Sequence, residues 1–240
     1  RVGRVMRSTT KLTLAFLPVF AALIALGVWQ IERLHWKEAL IAEVNANMAA
    51  PPITLARSLA MGEAAQYHRV TLEGHFDNAK EAYAFATADQ GAPVYHVLTP
   101  FVLGDGRALI VDRGAIPPRL LDPKTREAGE RDGQTQITGV WRTPDMPGLF
   151  TPAPDLARRI WYARDVTAIA KADGVTLATP IIIEADATPN PGGWPKGGQT
   201  VVNFPNNHLQ YALTWFGLAA ALFGVWLAYL IREGQIGLSK

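Results

Sequence analysis

The sequence predicts a membrane protein of the α+β class: a two-transmembrane-helix hairpin that carries an antiparallel β-rich extracytoplasmic domain, either a sheet or a partly closed barrel. Three observations predict this fold class. A long apolar run lies near each end of the 240 residues, and positive charges flank these runs. Between the runs, apolar and polar residues alternate with a period of two, which is typical of half-buried β-strands.

The first apolar run, at residues 12–31, is long enough to cross a bilayer as a helix. Twenty helical residues at about 1.5 Å each reach roughly 30 Å, the thickness of the hydrocarbon core. A cleaved signal peptide is the alternative, but its apolar part usually has only about 7–15 residues. Here the helical pattern continues through Trp29, Arg33, Trp36 and Leu40. We therefore favour a retained transmembrane helix.

The second apolar run occupies residues 208–231 and contains no Asp, Glu, Lys or Arg. It is long enough to span a bilayer with some tilt. A helix buried in a soluble domain is rarely apolar on every side over such a length. We therefore predict a second transmembrane helix at 208–231.

The charges beside the two runs predict the topology. Four positive residues and no acid precede the first run: Arg1, Arg4, Arg7 and Lys11. Cytoplasmic flanks of membrane helices are enriched in Lys and Arg. We expect residues 1–11 and 232–240 to be cytoplasmic and residues 32–207 to form a domain in the periplasm or in the equivalent intermembrane compartment. The expected location is the bacterial inner membrane, with both termini cytoplasmic.

The region between the runs predicts one β-rich domain. Six segments read as strands: residues 67–76, 81–87, 94–103, 107–113, 135–142 and 180–185. Residues 165–173 predict a short helix, with Asp165 as its N-cap and Gly174 at its end. Two segments rich in Pro and Gly, 144–154 and 188–198, predict loops.

Composition and motifs exclude several classes of function. The chain has no cysteine, so it offers no disulfide, thiolate ligand or thiol chemistry. A net charge of +2 is too small to indicate a nucleic-acid partner. The sequence contains no phosphate-binding GxxxxGK(S/T) loop, no GxSxG and no HExxH. We therefore expect a protein that is not an enzyme.

Four stretches of the sequence together resemble the surfeit-locus/Shy family. They are GVWQIERLHWKEALI at 27–41, VDRGAIP at 111–117, GGWP at 192–195 and NNHLQYALTWFGLA at 206–219. Members of this family are assembly factors for haem–copper terminal oxidases of the respiratory chain, such as cytochrome c oxidase. The resemblance implies a role in maturing subunit I, around the insertion of haem a. It implies subunit I, other oxidase subunits or haem a synthase as partners, besides the lipid bilayer.

The resemblance also implies a haem site at the start of the second run, where bacterial relatives have been proposed to bind haem a through a histidine. Only His208 matches that position, and Tyr211 and Trp215 share its helical face. We expect Asn206 and Asn207 to hydrogen-bond the free ring nitrogen of the ligating histidine. The alternative is an interfacial histidine that hydrogen-bonds lipid headgroups or a partner. Both interpretations of His208 are open.

Arg113, Asn206, Asn207 and Trp226 are the expected contacts with a partner or an anion. Arg113 ends the strand at 107–113, before a turn expected at Gly114. It either contacts an anion, such as a haem propionate, or braces the turn against a nearby carboxylate, and we favour bracing. The family motif resembles V-N-R-G-W-V-P, from which this chain departs at positions 112 and 115.

Helical geometry divides the second run into two faces. One face carries His208, Tyr211, Ala212, Trp215, Ala219, Leu222 and Trp226. The opposite face carries small residues: Gly217, Ala221, Gly224 and Ala228. Because small residues let membrane helices approach closely, we expect this small face to pack on the first run, along Ala15, Ala22 and Ala25. The reverse assignment of the two faces is the alternative.

Three functions from different classes deserve comparison. The first is an oxidase assembly factor that holds or hands over haem a. The second is an accessory or scaffold subunit that stabilises subunit I without binding haem. The third is a copper chaperone for the same oxidase, which needs soft ligands that a chain with four Met and no Cys does not supply. The sequence leaves the first two open.

Overall fold

The computed structural model describes residues 2–88, 91–200, 202 and 204–236. The helices are α1 (Val2–Ala49), α2 (Leu55–Met61), α3 (Val166–Ala172) and α4 (His208–Arg232). The strands are β1 (Ile53–Thr54), β2 (Arg69–Phe76), β3 (Ala82–Thr87), β4 (Pro93–Leu103), β5 (Ala108–Ile116), β6 (Thr135–Arg142), β7 (Ile160–Trp161) and β8 (Leu177–Ala185). The chain divides into two compact units. We call Arg1–Glu43 with Asn203–Lys240 the helix unit, and Val44–Val202 the barrel unit.

Two helices are long and apolar enough to cross a membrane, judged by length and composition: Thr10–Ala49, which is part of α1, and α4. α1 has 48 residues. At about 1.5 Å per residue it is more than twice as long as a bilayer core of roughly 30 Å. The predicted continuation of the helix past residue 31 is confirmed. The helix ends at Ala49, close to Pro51 and Pro52, which lack the N–H groups needed to continue it.

The face of α4 that packs on α1 is the reverse of the predicted one. Trp226 stacks on Phe16 with ring centroids 4.7 Å apart, and its Nε1 donates to Thr13 Oγ1 at 3.3 Å. Ala212 and Ala219, on the same face as Trp226, are buried. The expectation that the histidine and aromatic face points outward is therefore wrong for most of its length.

The small residues of α4 do not mediate this contact. An added Cβ at Gly217 or Gly224 would meet nothing within 4 Å. The three alanines expected opposite them on α1 are exposed: Ala15, Ala22 and Ala25. The close approach occurs instead at Gly27 of α1, where the ring of Phe216 fills the space of a side chain. Burial from lipid gives apolar surface little advantage, so interlocking shapes and hydrogen bonds decide which faces meet.

Five strands of the barrel unit close into a barrel-like sheet. Their order is β2-β6-β8-β5-β4, and β4 returns to pair with β2 through Gly74↔Leu103 and Phe76↔Phe101. The prediction of a β-rich domain is confirmed, and of the two expected forms, a sheet or a partly closed barrel, the structure has the barrel-like one. Four of the five pairings are antiparallel, whereas β5 and β8 are parallel. A ring with an odd number of strands cannot alternate direction throughout, so one pair must be parallel.

The long strand β4 belongs to two parts of the barrel unit. Residues near its start pair with β3, as in Ala84↔His96, and residues near its end pair with β2. β3 in turn carries the short strand β7 in parallel. The β3–β4 ribbon therefore extends beyond the closed ring and forms the wall of a concave site described below.

β5 is buried on both faces because two cores meet across it. Leu109 and Val111 pack inside the barrel, around Phe101. Ile110, between them, packs on the opposite side with Ile169 of α3. This burial explains why the β5 segment is a continuous apolar run rather than an alternating one.

The six predicted strands correspond to β2, β3, β4, β5, β6 and β8. Their predicted and observed ends differ by three residues or fewer. The predicted cap of α3 is also confirmed, since the Asp165 side chain accepts from the N–H of Ala168 at 3.0 Å. Gly174 follows the helix with a φ of +62°.

The turn expected at Gly114 is wrong, because β5 continues to Ile116. Gly114 has a φ of +115°, and the backbone of Lys196 occupies the position that a Cβ would take. The next residue, Ala115, bridges to Lys196 through paired backbone hydrogen bonds. The glycine therefore permits a close backbone approach between β5 and the loop at 188–198.

Candidate functional site

His208 is the first residue of α4, and it is hydrogen-bonded to α1. Its Nδ1 lies 2.7 Å from Oε1 of Gln30, a polar side chain that is only 9% exposed. An amide oxygen can only accept, so Nδ1 carries a proton, and in the neutral ring Nε2 then has the lone pair. The partner that fixes the tautomer is therefore Gln30, and the expectation that Asn206 or Asn207 does so is wrong.

Two buried polar atoms near the start of α4 have no protein partner among the described residues. They are Oδ1 of Asn206 and Nε1 of Trp215. Buried polar atoms are nearly always satisfied, so such atoms indicate a missing water, ligand or partner. Asn207 is exposed, and Tyr211 is 55% exposed. Asn206 and Asn207 directly precede α4, and Tyr211 and Trp215 lie on its first two turns, whereas Trp226 is far along the helix and stacks on α1.

Arg113 lies inside the barrel unit, with 1% of its surface exposed. Its guanidinium donates to the carbonyl oxygen of Gly129 and to Asn78 Oδ1, the latter at 3.3 Å. It also lies 3.8 Å from Glu81 Oε2 and 4.6 Å from the ring centre of Phe76. Burial lowers the pKa of the Arg113 guanidinium, against the opposing effect of nearby carboxylates.

Glu81 joins Arg113 to a second buried arginine. Arg126 donates to both carboxylate oxygens of Glu81, to Glu130 at 2.8 Å and to the hydroxyl of Tyr83 at 3.1 Å. Burial, together with the negative charge of Glu81, raises the pKa values of Tyr83 and Glu130. Two arginines and two carboxylates balance in charge, an arrangement that favours a bracing role for Arg113.

A second charged cluster, which the sequence did not reveal, lies on the other side of β5. His96 Nδ1 is 2.8 Å from Asp112 Oδ2. Arg164 donates to Glu184 Oε1 at 2.6 Å and to Asp145 Oδ2 at 2.7 Å. Burial lowers the pKa of His96, but the hydrogen bond and charge of Asp112 outweigh it and raise the pKa above its usual value.

The only signal for this cluster in the sequence was Asp112, in the position where the family motif has Asn. Asp112 Oδ1 accepts the N–H of Gly114 at 2.9 Å, so its second oxygen is free for His96. The cluster joins residues from β4, β5 and β8, and their approach depends on strand register. A register shift between His96 and Leu98 brings the imidazole to Asp112.

These features define a class of protein: a closed β-barrel-like domain between two membrane-capable helices, one of which presents a histidine held by the other. A model of the SURF1 family matches residues 17–220. The chain is 36% identical over 234 residues to Surfeit locus protein 1 of Mus musculus, covering 90% of this chain and 74% of the mouse protein. It is 33% identical over 238 residues to Surfeit locus protein 1 of Homo sapiens, covering 91% of this chain and 77% of the human protein. The chain belongs to the SURF1 family, and the resemblance drawn from its motifs is confirmed.

Proposed function

We propose that this chain is an assembly factor for a haem–copper terminal oxidase and acts on subunit I during the insertion of haem a. Membership of the SURF1 family supports the assembly role. The chain acts without catalysing a reaction, and haem a is its cargo. Its partners are subunit I, other oxidase subunits or haem a synthase.

The proposed topology is a hairpin of α1 and α4 in the inner membrane of a bacterium, with both termini cytoplasmic and the barrel unit periplasmic. The basic N-terminal flank supports this orientation. The contacts between the helices support the hairpin, because they occur in opposite order along α1 and α4. Thr13 and Phe16 meet Trp226, whereas Gln30 meets His208.

Reporter fusions test this topology directly. A fusion at either terminus should behave as cytoplasmic. A fusion in the exposed turn at Gly133, which has a φ of +77°, should behave as periplasmic. A cytoplasmic signal from the Gly133 fusion would overturn the orientation and leave the family assignment untouched.

The hydrogen bond between His208 and Gln30 carries the haem part of the proposal. Neutral imidazole is a common axial ligand of haem iron, and ligating histidines usually donate their other ring N–H to an oxygen acceptor. Gln30 supplies that acceptor and leaves the lone pair of Nε2 available. Asn206 Oδ1 and Trp215 Nε1 add buried polar atoms without partners, and Tyr211 adds an exposed ring. These residues fit a porphyrin.

The test is the haem content of protein purified from its native membrane. His208→Ala should leave a folded protein with little or no haem, and active oxidase should fall because subunit I is incompletely loaded. His35→Ala is the matched control, since His35 is an exposed histidine of α1. Full haem occupancy in His208→Ala, or a wild type that never carries haem, would remove the ligand role and favour the scaffold function.

Gln30 gives a second test of the same site. Gln30→Glu keeps an oxygen acceptor for Nδ1–H and should retain haem. Gln30→Leu removes the acceptor and should lower haem affinity by about 10- to 100-fold, as for other partners of ligating histidines. Nitrogen-15 chemical shifts of His208 in the haem-free protein report the tautomer independently. If Gln30→Leu leaves the tautomer unchanged, Gln30 does not position this histidine.

A further inference from the structure

A concave site of about 350 Å³ lies on the barrel unit. Two aromatic rings form its walls, Phe85 of β3 and Tyr162, with centroids 6.0 Å apart. They are 39% and 41% exposed, which is unusual for neighbouring aromatic residues. The floor contains the cluster of His96, Arg164 and Glu184. We call this feature the aromatic-walled site.

The floor of the aromatic-walled site contains a buried acceptor and a buried donor without hydrogen-bond partners among the described residues, Glu184 Oε2 and Arg142 Nε. Glu184 is 6% exposed, and its Oε1 accepts from Arg164, but its Oε2 is buried and has no partner. His96 lines the site, and when its ring is neutral and donates from Nδ1 to Asp112, Nε2 carries a lone pair. An incoming hydrogen-bond donor would satisfy atoms that this unit leaves unpaired.

The charges of the floor also favour a cation. The ion pairs of the floor contain three carboxylates and two arginines. The carboxylates are Asp112, Asp145 and Glu184, and the arginines are Arg142 and Arg164. With His96 neutral, one negative charge is left in excess. A positive group that entered the site would neutralise this charge in a partly buried setting, where electrostatic attraction is stronger than in water.

The rim of the site is strongly apolar. Met146 and Thr151 line the site, and between them Leu149 and Phe150 are 92% and 93% exposed. Met146 is itself 70% exposed. Adjacent large apolar side chains that are almost fully exposed mark contact surfaces.

We propose that the aromatic-walled site binds a partner protein that places one arginine or lysine side chain against the exposed rings of Phe85 and Tyr162 and covers Leu149 and Phe150 with apolar residues. The two rings attract the cation through their faces. Glu184 and His96 accept its N–H groups. A lipid surface would cover the apolar rim but would not reach the recessed acceptors, so the floor favours a protein. This proposal does not depend on haem binding.

The experiment uses the full chain in lipid nanodiscs and two short fluorescent peptides. They are acetyl-Leu-Arg-Leu-amide and its neutral counterpart acetyl-Leu-Gln-Leu-amide. The arginine peptide should bind roughly tenfold tighter, a preference that reflects the cation contacts. Tyr162→Ala should remove this preference. Phe150→Ser should weaken both peptides, whereas the matched control Leu59→Ser, on α2 outside the site, should change neither.

The pH supplies an independent readout. The carboxylates of Asp112, Asp145 and Glu184 exceed the guanidinium groups of Arg142 and Arg164 by one negative charge. A proton on His96 neutralises this charge and so competes with an incoming cation. The affinity of the arginine peptide should therefore fall as the pH drops through the pKa of His96. The affinity of the glutamine peptide should change less.

Two results would overturn the proposal. The first is equal affinity for the arginine and glutamine peptides. The second is binding of anionic lipid vesicles that Phe150→Ser abolishes, with no discrimination between the peptides. That second result would assign the apolar rim to a bilayer rather than to a protein.

Discussion

The barrel unit and the helix unit differ in how strongly their residues specify their contacts. In the barrel unit, the two faces of a strand meet different neighbours, and a shift of one residue would exchange the two sets of side chains. In the helix unit, α4 is apolar on every side. Burying one apolar face rather than another therefore changes little free energy in lipid. Strand positions in the barrel were accordingly predictable, whereas the contact face of α4 was predicted wrongly.

The hydrogen bonds follow the same division. The barrel unit contains charged side chains buried within it, such as Arg113 and Arg126, which are held by several partners each. The helix unit relies on isolated bonds, Gln30 to His208 and Trp226 to Thr13. Polar contacts between otherwise apolar helices thus orient α4. One of them, the hydrogen bond to Gln30, also fixes the ring of His208.

The largest expected effect is in the barrel unit, at Arg113. Arg113→Leu leaves the Gly129 carbonyl without this donor and removes a positive charge beside Glu81, so it should lower the free energy of unfolding by about 3–5 kcal/mol. Arg107→Leu is the control, because Arg107 is exposed at a hairpin and pairs with the exposed Asp105. Urea denaturation measures both. A stable Arg113→Leu protein that loses only ligand or partner binding would favour the anion contact instead.

A smaller effect is expected in the helix unit, from a pair of glycines. Gly27→Leu collides with Phe216, so it should weaken the pairing of α1 and α4 by about 1–3 kcal/mol. Gly224→Leu faces open space and should be silent. Phe20 of α1 and Phe223 of α4 lie close together, with ring centroids 6.1 Å apart. Because the chain has no cysteine, a bifunctional thiol crosslink between cysteines introduced at these two positions reports the pairing. Loss of this crosslink in Gly224→Leu but not in Gly27→Leu would restore the predicted small-residue face.

The smallest effect concerns the pH dependence of barrel stability. The pKa of His96 is raised above its unfolded value of about 6.5. The folded barrel therefore binds the proton more tightly, and this stabilisation is present below pH 6.5. It should be lost as the pH rises through the folded pKa. His96→Gln should flatten this decline in unfolding free energy, whereas His75→Gln should not. A decline that is unchanged in His96→Gln would assign it to another group.

The sequence by itself determined the features that depend on local residues. The two apolar runs, the six main strands, the Asp165 cap and the family motifs were all visible, because period, propensity and capping act over a few residues. The sequence also favoured a carboxylate near Arg113, which Glu81 supplies, but it placed the arginine before a turn at a point where β5 continues.

Only the tertiary structure decided the features that join distant residues. The closure of the ring by β4 and β2 joins strands that are distant in the sequence. The one parallel pair in this five-stranded ring, β5 with β8, follows from its odd number of strands. The pairing of His96 with Asp112 depends on a register shift, and that of His208 with Gln30 joins residues 178 positions apart. The contact face of α4 belongs to the same group. In an apolar helix the hydrophobic pattern is uniform, so the ring of Phe216 against Gly27 and the stacking of Trp226 on Phe16 select the face.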